Sequence, residues 1–507
     1  MGVFLPLFVA IPLISSAIAL LLPWRFLRDG IHIIIPLVSM VAGGFLFSYT
    51  ATHGAIAHNV GLYEGGVAIP FAADTFSAIM IISTGLIAVC ANWFATIAGE
   101  TSSRYYASLT LMLVTGVNGA LLTADLFNFF VFIEVMLLPS YGLIAMSGTW
   151  SRLAGGRTFV LVNLSASTVL VVGVGLLYGV VGTVNIPALA GVGAGHGPAV
   201  LALGVVVTAI AAKAGVFPLH TWLPRTYPGT SAAVMGLFSG LHTKVGVYML
   251  FRIYVVIFGL DPRWNWLIIT IMVISMLIGG FAGLAENSIR RVLAYQMVNG
   301  MPMILVVLAF CTDHPQRALA AGLLYTIHHM VTVGSLVLAS GAIEETYGTG
   351  LLKKLSGLAR RDKLLATIFA AGAFSVVGFP PFSGLWGKVY IVISVVRQES
   401  SASWLVISVI IVASFGALLS MLRVWRKVFW GKAMGAGRYP ESLSIPGALI
   451  APSGVLILIS LAMFFLAGPL INYTLTATDG LLDVGDYQHA VLGDTPVGVP
   501  NISELGR

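Results

Sequence analysis

The sequence predicts an all-α polytopic membrane protein, and two features of its composition lead to that fold class. Of its 507 residues, 58% are hydrophobic and only 9% are charged, whereas soluble domains carry about 25% charged residues. The mean hydropathy is +0.97, and long apolar stretches recur along the whole chain. The net charge of +7 is therefore better explained by basic loops beside a lipid bilayer than by nucleic-acid binding.

A transmembrane helix needs roughly 20 apolar residues, and about fourteen segments meet that requirement. In chain order they are residues 2–22, 31–50, 75–98, 106–124, 127–147, 155–181, 199–221, 230–257, 264–285, 290–311, 316–343, 363–395, 402–430 and 447–474. The first has neither a basic n-region nor a small-residue cleavage site, so we interpret it as a retained helix. We expect one transmembrane domain over residues 1–507, with N-terminal helices in 1–100 and an outer tail in 475–507.

The basic residues predict the orientation of these segments. Most of the 26 Lys and Arg residues lie in or beside loops that follow odd-numbered segments, for example at 290–291 and 353–354. The loop at 51–73 has neither residue type, and the C-terminal tail is acidic before its last residue, with Asp479, Asp483, Asp486, Asp494 and Glu504 followed by Arg507. By the positive-inside rule we expect a multi-pass protein of the cytoplasmic membrane with both termini outside.

The chain also contains a weak internal repeat. The stretch YMLFRIYVVIFG (248–259) resembles LSMLRVWRKVFWG (419–431), and each follows a segment that combines a lysine with a proline. Lysine precedes proline in the first copy and follows it in the second. An odd number of segments separates the copies, which predicts two inverted five-helix repeats, 106–257 and 264–430, each with a broken helix.

Four ionisable residues lie deep inside predicted segments: Glu134, Lys213, Lys244 and Lys388. Each charged lysine near the bilayer centre costs about 2.5–3.5 kcal/mol, so the set costs roughly 10 kcal/mol or more. One alternative is that these groups only pair and hold helices together, but one carboxylate cannot neutralise three ammonium groups. Ionisable groups buried in membrane helices mark ion pathways by default, so we interpret these four as candidate proton carriers.

Proton exchange by such groups has a simple physical basis. An amine buried without a counter-charge loses the stabilisation that keeps it protonated in water. A carboxylate about 4 Å away restores about 4 kcal/mol at an effective dielectric of 20. Forming and breaking a pair between Glu134 and a lysine would therefore switch that lysine between holding and releasing a proton.

Two proline-rich breaks and several histidines extend this set. The breaks are expected at 215–218 and 378–381, where freed backbone carbonyls would line a hydrated cavity; simple proline kinks are the alternative. Histidines near the lysines are candidates for a proton relay, although each has a packing role as its alternative: His220, His242, His328 and His329. Of these, His328 and His242 are preferred.

No cofactor or metal is expected. The two cysteines are far apart in the sequence, and no HExxH motif is present. The glycine run at 191–197 has GxGxxG-like spacing but follows no predicted strand, so it does not indicate a nucleotide site. Without a redox or nucleotide motif, an ion gradient is the expected driving force.

Five motifs in order carry a family resemblance. They are DLFNFFVFIEVMLLPSYGLIA (125–145), KAGVFPLHTWLP (213–224), SGLHTKVGVYMLFR (239–252), RRVLAYQMV (290–298) and GFPPFSGLWGKVYI (378–391). From about residue 70 to 431 the chain resembles the antiporter-like membrane subunits shared by respiratory complex I, membrane-bound hydrogenases and Mrp-type multisubunit cation/proton antiporters. Its length, its predicted helix count and the loop WRKVFWGKAMG (425–435) are similar to those of the D-type subunits of Mrp antiporters.

The resemblance implies a role for individual residues. Glu134 matches a glutamate that pairs with the lysine matched by Lys213. Lys244 matches the central lysine of the family, and Lys388 matches the lysine at the exit side. His328, in YTIHHM, matches the histidine that links the two halves.

One position departs from the family pattern. Many relatives carry a lysine five residues after the linking histidine, and here that position is Val333. The link between the central and exit lysines is therefore expected to depend on His328, His329, Thr332 and water.

The resemblance implies a transporter subunit rather than an enzyme. It would translocate protons in a multisubunit antiporter for Na+ or another monovalent cation, together with other membrane subunits, and serve pH homeostasis. The alternative is a proton-pumping membrane subunit of a complex I-like or hydrogenase redox complex. A third interpretation is an inert scaffold whose charges only hold partner subunits.

Overall fold

The structure, a computed structural model, is helical along almost its entire length. It describes residues 1–63, 65, 68–146, 150–195, 197–432, 434, 439–440 and 442–493. Asp494, Glu504 and Arg507 of the expected outer tail lie outside these residues. In the described part of the chain, twelve helices are long and apolar enough to cross a membrane, or thirteen if helix 198–214 is joined to the short turns before it. The predicted fold class is confirmed.

Four helices and one short hairpin form the N-terminal region. They are α1 (Leu7–Leu21), α2 (Arg25–His53), β1 (Ile56–Asn59), β2 (Pro70–Ala73), α3 (Thr75–Ala98) and α4 (Arg104–Leu122). The strands pair antiparallel with Ile56 opposite Ala73, in a stretch for which only a loop is predicted. Helix α3 begins at a capping box in which Asp74 accepts a hydrogen bond from the Ser77 amide at 2.8 Å.

The next helices contain the first break. They are α5 (Leu126–Ala145), α6 (Trp150–Val181), α7 (Pro198–Ala214), α8 (Trp222–Thr226), α9 (Ala232–Gly240) and α10 (His242–Arg252), which continues as a π-helix over Ile253–Ile257. The expected segment 199–221 is not one helix, because α7 ends where Gly215 adopts a φ of +75°. Glycine tolerates that angle, and Pro218 cannot donate a backbone hydrogen bond to continue the helix. The predicted break is confirmed.

The following helices contain the second break. They are α11 (Asn265–Ala282), α12 (Ile289–Leu305), α13 (Pro315–Tyr347), α14 (Leu358–Arg361), α15 (Lys363–Val377), α16 (Ser383–Val396) and α17 (Ser401–Val424). The expected segment 363–395 is two shorter helices, separated by Gly378 at a φ of +102° and by Pro380 and Pro381. The described residues therefore do not contain fourteen continuous spans. The inverted relation between 106–257 and 264–430 stays a prediction.

The C-terminal helices differ from the expected last helix at 447–474 followed by a tail. They are α18 (Gly447–Phe465), α19 (Ala467–Leu482) and α20 (Val484–Leu492). Residues beyond 474 pack on the rest of the protein: the Ala55 amide donates to Asp486 Oδ2 at 2.5 Å, and Gln488 Nε2 donates to the Pro187 carbonyl at 3.0 Å. Because these residues are held in part by hydrogen bonds, a rule based on the length of apolar segments ends the helical region too early.

The centre of the molecule is formed by α9 and α10 together with α12 and α13. Within its most apolar 18 residues, Ala232–Ile257 has 100% of the residues buried, and Ile289–Phe310 and Pro315–Tyr347 each have 94% of them buried. In each of the first two helices, only 28% of the residues in that stretch are buried. Because these central helices have almost no outward surface, polar side chains on them face the protein interior.

Candidate functional site

The ionisable residues singled out by the sequence lie in the interior rather than on the lipid-facing surface. Seven of them expose no more than 8% of their area: Lys213, His220, His242, Lys244, His328, His329 and Lys388. Glu134, on α5, is half-buried, and its Oε1 atom is buried without a hydrogen-bond partner in the described part of the chain.

At one end of the set, Lys213 and Glu134 are neighbours that do not touch. Lys213 lies in the last turn of α7, and its Nζ donates a hydrogen bond to Ser167 Oγ of α6 at 3.0 Å. The ion pairs of the described residues do not include Glu134 with Lys213. The two side chains still interact electrostatically. The expected pair is therefore not closed here, and the ammonium group binds Ser167 instead.

The centre of the set is at the start of α10. His242 Nε2 shares a hydrogen bond of 2.8 Å with Ser140 Oγ of α5, and the imidazole interacts electrostatically with Lys213. Two residues on, Lys244 is 0% exposed. Its Nζ has only long contacts, at 3.5 Å to the Ser239 carbonyl, 3.4 Å to a neighbouring hydroxyl and 3.5 Å to Met301 Sδ.

Among the described residues, Lys244 has no carboxylate partner. A buried ammonium group without one is expensive, because the surrounding protein does not replace the solvation it had in water. A structural lysine would be paired. The geometry instead suits a group that gains and loses a proton.

His329 connects the centre to α12 through an unusually close contact. Its Nε2 lies 3.3 Å from the Gln296 carbonyl, and the imidazole interacts electrostatically with both Lys244 and His328. Gly300 makes room for the ring, since a Cβ there would lie 2.0 Å from His329 Nε2. Glycine at this position therefore fixes where the imidazole sits.

We expect Gly300→Ala to destabilise the protein by about 1–3 kcal/mol, because the added methyl group overpacks the His329 ring. The matched control is Gly204→Ala on α7, where an added Cβ meets nothing within 4 Å. That change should be neutral or slightly stabilising, since alanine is the better helix former. Both effects are measured by heating the detergent-solubilised protein and finding the temperature at which half of it is no longer folded and soluble. Equal midpoints for the two variants would contradict the packing argument.

At the other end of the set, Lys388 binds the broken helix itself. Its Nζ donates to the carbonyl of Val377, the last residue of α15, at 2.8 Å and to Ser414 Oγ at 2.8 Å. The last carbonyls of a helix have no intrahelical partner and carry partial negative charge, so a cation is stabilised there. The break thus creates the lysine's binding partner.

His328 lies between His329 and Lys388 and interacts electrostatically with both. Its Nδ1 is 2.8 Å from Ser383 Oγ of α16 and 3.2 Å from Thr332 Oγ1 of α13. Val333, where the family resemblance implies a lysine, is a buried apolar side chain. The contact with Thr332 agrees with the expected bridge over that position.

Several polar partners of these residues are absent from the sequence prediction. The direct partners are Ser140, Ser167, Ser383 and Ser414. Ser375 and Ser460 are linked to them only through Thr332 and Ser383. A serine inside an apolar segment is a weak signal alone, because membrane helices accommodate serine by hydrogen bonding to their own backbone. Its partner becomes visible only when the neighbouring helix is known.

Comparison with known proteins gives a match across the regions that contain these residues. The family model described as NADH:quinone oxidoreductase/Mrp antiporter, transmembrane, matches residues 123–417. That range includes both breaks and all eight candidate residues, one glutamate, three lysines and four histidines.

Individual relatives match over most of their length. The chain is 33% identical to the D-type subunit of a Na(+)/H(+) antiporter of Alkalihalophilus pseudofirmus, over 87% of this chain and 89% of that protein. It is 28% identical to the D-type subunit of a probable K(+)/H(+) antiporter of Rhizobium meliloti, over 94% of each. A chain in the structure of the Mrp complex from Dietzia sp. superimposes with a TM-score of 0.92 at 37% identity, covering 97% of this chain and 99% of that one.

Proposed function

Because this chain belongs to the NADH:quinone oxidoreductase/Mrp antiporter transmembrane family, we propose that it is a proton-translocating subunit of a multisubunit antiporter. The antiporter exchanges protons for Na+ or another monovalent cation. Its proton route is a mid-membrane row formed by Glu134, Lys213, His242, Lys244, His329, His328 and Lys388. One relative is named for Na+ and another for K+, so the proposal extends no further than a monovalent cation.

The observation that carries this proposal is the position of Lys244. It is enclosed by the most buried helices, has no carboxylate partner among the described residues, and interacts electrostatically with His329, while His242 lies two residues before it on α10. A polar group in a membrane interior is retained for a role that offsets its insertion cost. These surroundings support a role in which Lys244 receives a proton from one neighbouring group and passes it to the next.

The separated pair of Glu134 and Lys213 provides the switch at the entry end. In the present arrangement Ser167 binds the lysine, and one carboxylate oxygen of Glu134 has no hydrogen-bond partner among the residues that the structure describes. Closing the pair to about 4 Å would favour the charged lysine by about 4 kcal/mol at an effective dielectric of 20. Opening the pair would release that stabilisation and drive the proton toward His242, which interacts electrostatically with Lys213.

The proposed setting is a hetero-oligomeric complex in the cytoplasmic membrane. The relatives are named as subunits, and the matching chain comes from a complex, which supports partner membrane subunits for this chain. Large apolar side chains exposed on several helices, such as Trp266, Leu201 and Ile411, suit contact with lipid or with such partners. Both termini are proposed to face outside, and the exchange would serve pH homeostasis.

A proton-pumping subunit of a redox complex is the second candidate, and the family description itself favours it, since it includes NADH:quinone oxidoreductases. The two candidates use the same proton route. They differ in the source of free energy, which is an ion gradient in one and electron transfer in the other.

We expect everted vesicles that contain the whole assembly to dissipate an imposed pH gradient when Na+ or another monovalent cation is added. The gradient is imposed by dilution from ammonium, so no electron donor is needed, and a pH-sensitive dye reports it. Vesicles from the same cells without the assembly are the control. Strict dependence on an electron donor would reject the antiporter and favour the redox complex.

A further inference from the structure

A polar space of about 250 Å³, the arginine cavity, lies where α13 begins and α16 ends. Ser394 Oγ of α16 donates a hydrogen bond of 3.4 Å to the Arg317 carbonyl of α13, so the two helix ends are in contact. Six residues line the cavity, and none of them belongs to the proposed proton route: His314, Arg317, Tyr390, Ile393, Ser394 and Arg397.

The arginine cavity is positively charged. Arg317 and Arg397 are exposed, and both interact electrostatically with Tyr390, so their guanidinium groups approach the same side chain. The ion pairs of the described residues include neither arginine, although Asp313 and Glu399 are near them in the sequence. The start of α13, a helix of 33 residues, adds partial positive charge. Since like charges that line one cavity repel each other, an anion between the arginines is stabilised by both.

An apolar groove of about 310 Å³ continues from the arginine cavity along α16, and the two spaces share Ile393. Residues 389, 393 and 397 are four apart, so they form one stripe on α16 that runs from the groove into the cavity. Ile411 on the facing wall is 63% exposed, so the groove opens on the outer surface of the helix bundle. The groove is lined by Lys388, Val389, Val392, Ile393, Ile410, Ile411 and Ser414.

The cavity and the groove lie at the depths that a phospholipid requires. Lys388 and Arg397 are nine residues apart, which is about 14 Å along a helix. Half of a hydrocarbon core of about 30 Å is about 15 Å. With Lys388 near mid-membrane, Arg397 therefore lies at the level of the lipid headgroups, and the groove lies at the level of the acyl chains.

We propose that the arginine cavity and the apolar groove bind one anionic glycerophospholipid, with its phosphate between Arg317 and Arg397 and one acyl chain in the groove. A guanidinium group binds phosphate through two parallel hydrogen bonds, and the hydroxyl group of Tyr390 is a further donor. The acyl chain covers the groove up to Lys388 and Ser414, which are hydrogen-bonded at 2.8 Å. The inference goes beyond the proposed function, because it requires only that these helix ends lie at a membrane surface.

Lipid binding is tested on the assembled complex after its lipids are removed with detergent. Phosphatidylglycerol with two long acyl chains is titrated in, and native mass spectrometry counts the lipids on each complex. We expect Arg317→Gln combined with Arg397→Gln to bind one lipid fewer than the wild type at low lipid concentration. Filling that site should then need at least about tenfold more lipid, because hydrogen bonds from charged groups to the phosphate are lost.

The matched control removes the same charge elsewhere. Lys353→Gln combined with Lys354→Gln changes two exposed residues that follow the opposite end of α13 and do not line the cavity. This variant should bind as many lipids as the wild type. Phosphatidylcholine, whose net charge is zero, should fill the site less well than phosphatidylglycerol, since two arginines favour a net negative charge.

A third variant separates a lipid from a free anion. Ile393→Trp keeps both arginines and places a larger side chain in the groove, at a position that is 43% exposed. A phospholipid needs the groove for its acyl chain, so Ile393→Trp should lose the same lipid as the arginine variant. A free phosphate ion needs only the arginines and would not be affected.

Three results would overturn the inference. Equal lipid counts in the wild type and the arginine variant would show that the arginines hold no lipid, and a smaller amount of assembled complex in that variant would then assign them to a partner subunit. Wild-type binding in Ile393→Trp, together with displacement by inorganic phosphate, would assign the cavity to a free anion. An equal loss in the lysine variant would show unspecific attraction of charge. Because the count needs no transport, failure of the proposed function leaves this test intact.

Discussion

Replacing Lys244 with alanine is expected to abolish cation–proton exchange by the assembled complex, with a loss of about 100-fold or more. The lysine is the only protonatable side chain between His242 and His329 in the proposed row, and a positioned proton-transfer group contributes about 10²–10⁴-fold to a rate. Alanine also leaves a cavity where this fully buried side chain packs, so exchange is compared per assembled complex. Initial rates of gradient dissipation in everted vesicles measure the effect.

Met301→Leu is the matched control for this substitution. Its sulfur is 3.5 Å from Lys244 Nζ, and the side chain is 0% exposed. Leucine has a similar volume, so the cost to stability is below about 1.5 kcal/mol. The variant alters the surroundings of the amine without removing it and should retain most of the rate. If Lys244→Ala exchanges normally while less complex assembles, the residue is scaffold rather than proton carrier.

The sequence is sufficient to predict the elements of this fold that depend on local physics. Segment length and apolarity identify most membrane helices, since the bilayer sets both. Glycine and proline identify both breaks, because Gly215 and Gly378 adopt positive φ angles and the nearby prolines cannot continue a helix. The high insertion cost of lysine correctly predicts that Lys213, Lys244 and Lys388 are buried inside the protein.

The elements that depend on which helices are neighbours are not predictable in this way. Lys213 binds Ser167 and Lys388 binds Ser414, and both partners come from helices adjacent in space. The expected contact between Glu134 and Lys213 rests on family resemblance, and the structure separates the two groups. Helix α20 escapes prediction for a related reason, since its polar side chains bind loops that are distant in sequence.

Sequence reasoning also does not find the partner of Arg252, the last residue of α10. The structure shows that Arg252 Nη1 is 2.5 Å from Asp74 Oδ2, with side chains only 2% and 1% exposed. Asp74 is 178 positions away in the sequence and also caps α3. One ion pair therefore joins the end of α10, the start of α3 and, through Tyr487, helix α20.

The second large effect is expected for Arg252→Met, which should destabilise the protein by about 3–5 kcal/mol, because it leaves the carboxylate of Asp74 buried without its partner. The guanidinium group also packs over the rings of Phe76, Tyr248 and Tyr487, at 5.7, 5.5 and 4.7 Å. The change is measured as a shift in the temperature at which half of the detergent-solubilised protein is no longer folded and soluble. The pair of Arg25 and Asp29 provides the control, because its arginine is 47% exposed and Arg25→Met should cost less than about 1 kcal/mol.

A double variant separates the buried charge from the ring packing. Asp74→Asn combined with Arg252→Met removes both charges, and asparagine still caps α3 about as well as aspartate. If the unpaired carboxylate causes the damage, this double variant should be clearly more stable than Arg252→Met alone, since removing both members of a buried pair costs less than removing one. If the double variant is as unstable as the single one, the loss comes from the cation–π contacts with the three aromatic rings, and Tyr487→Leu should then reproduce part of it.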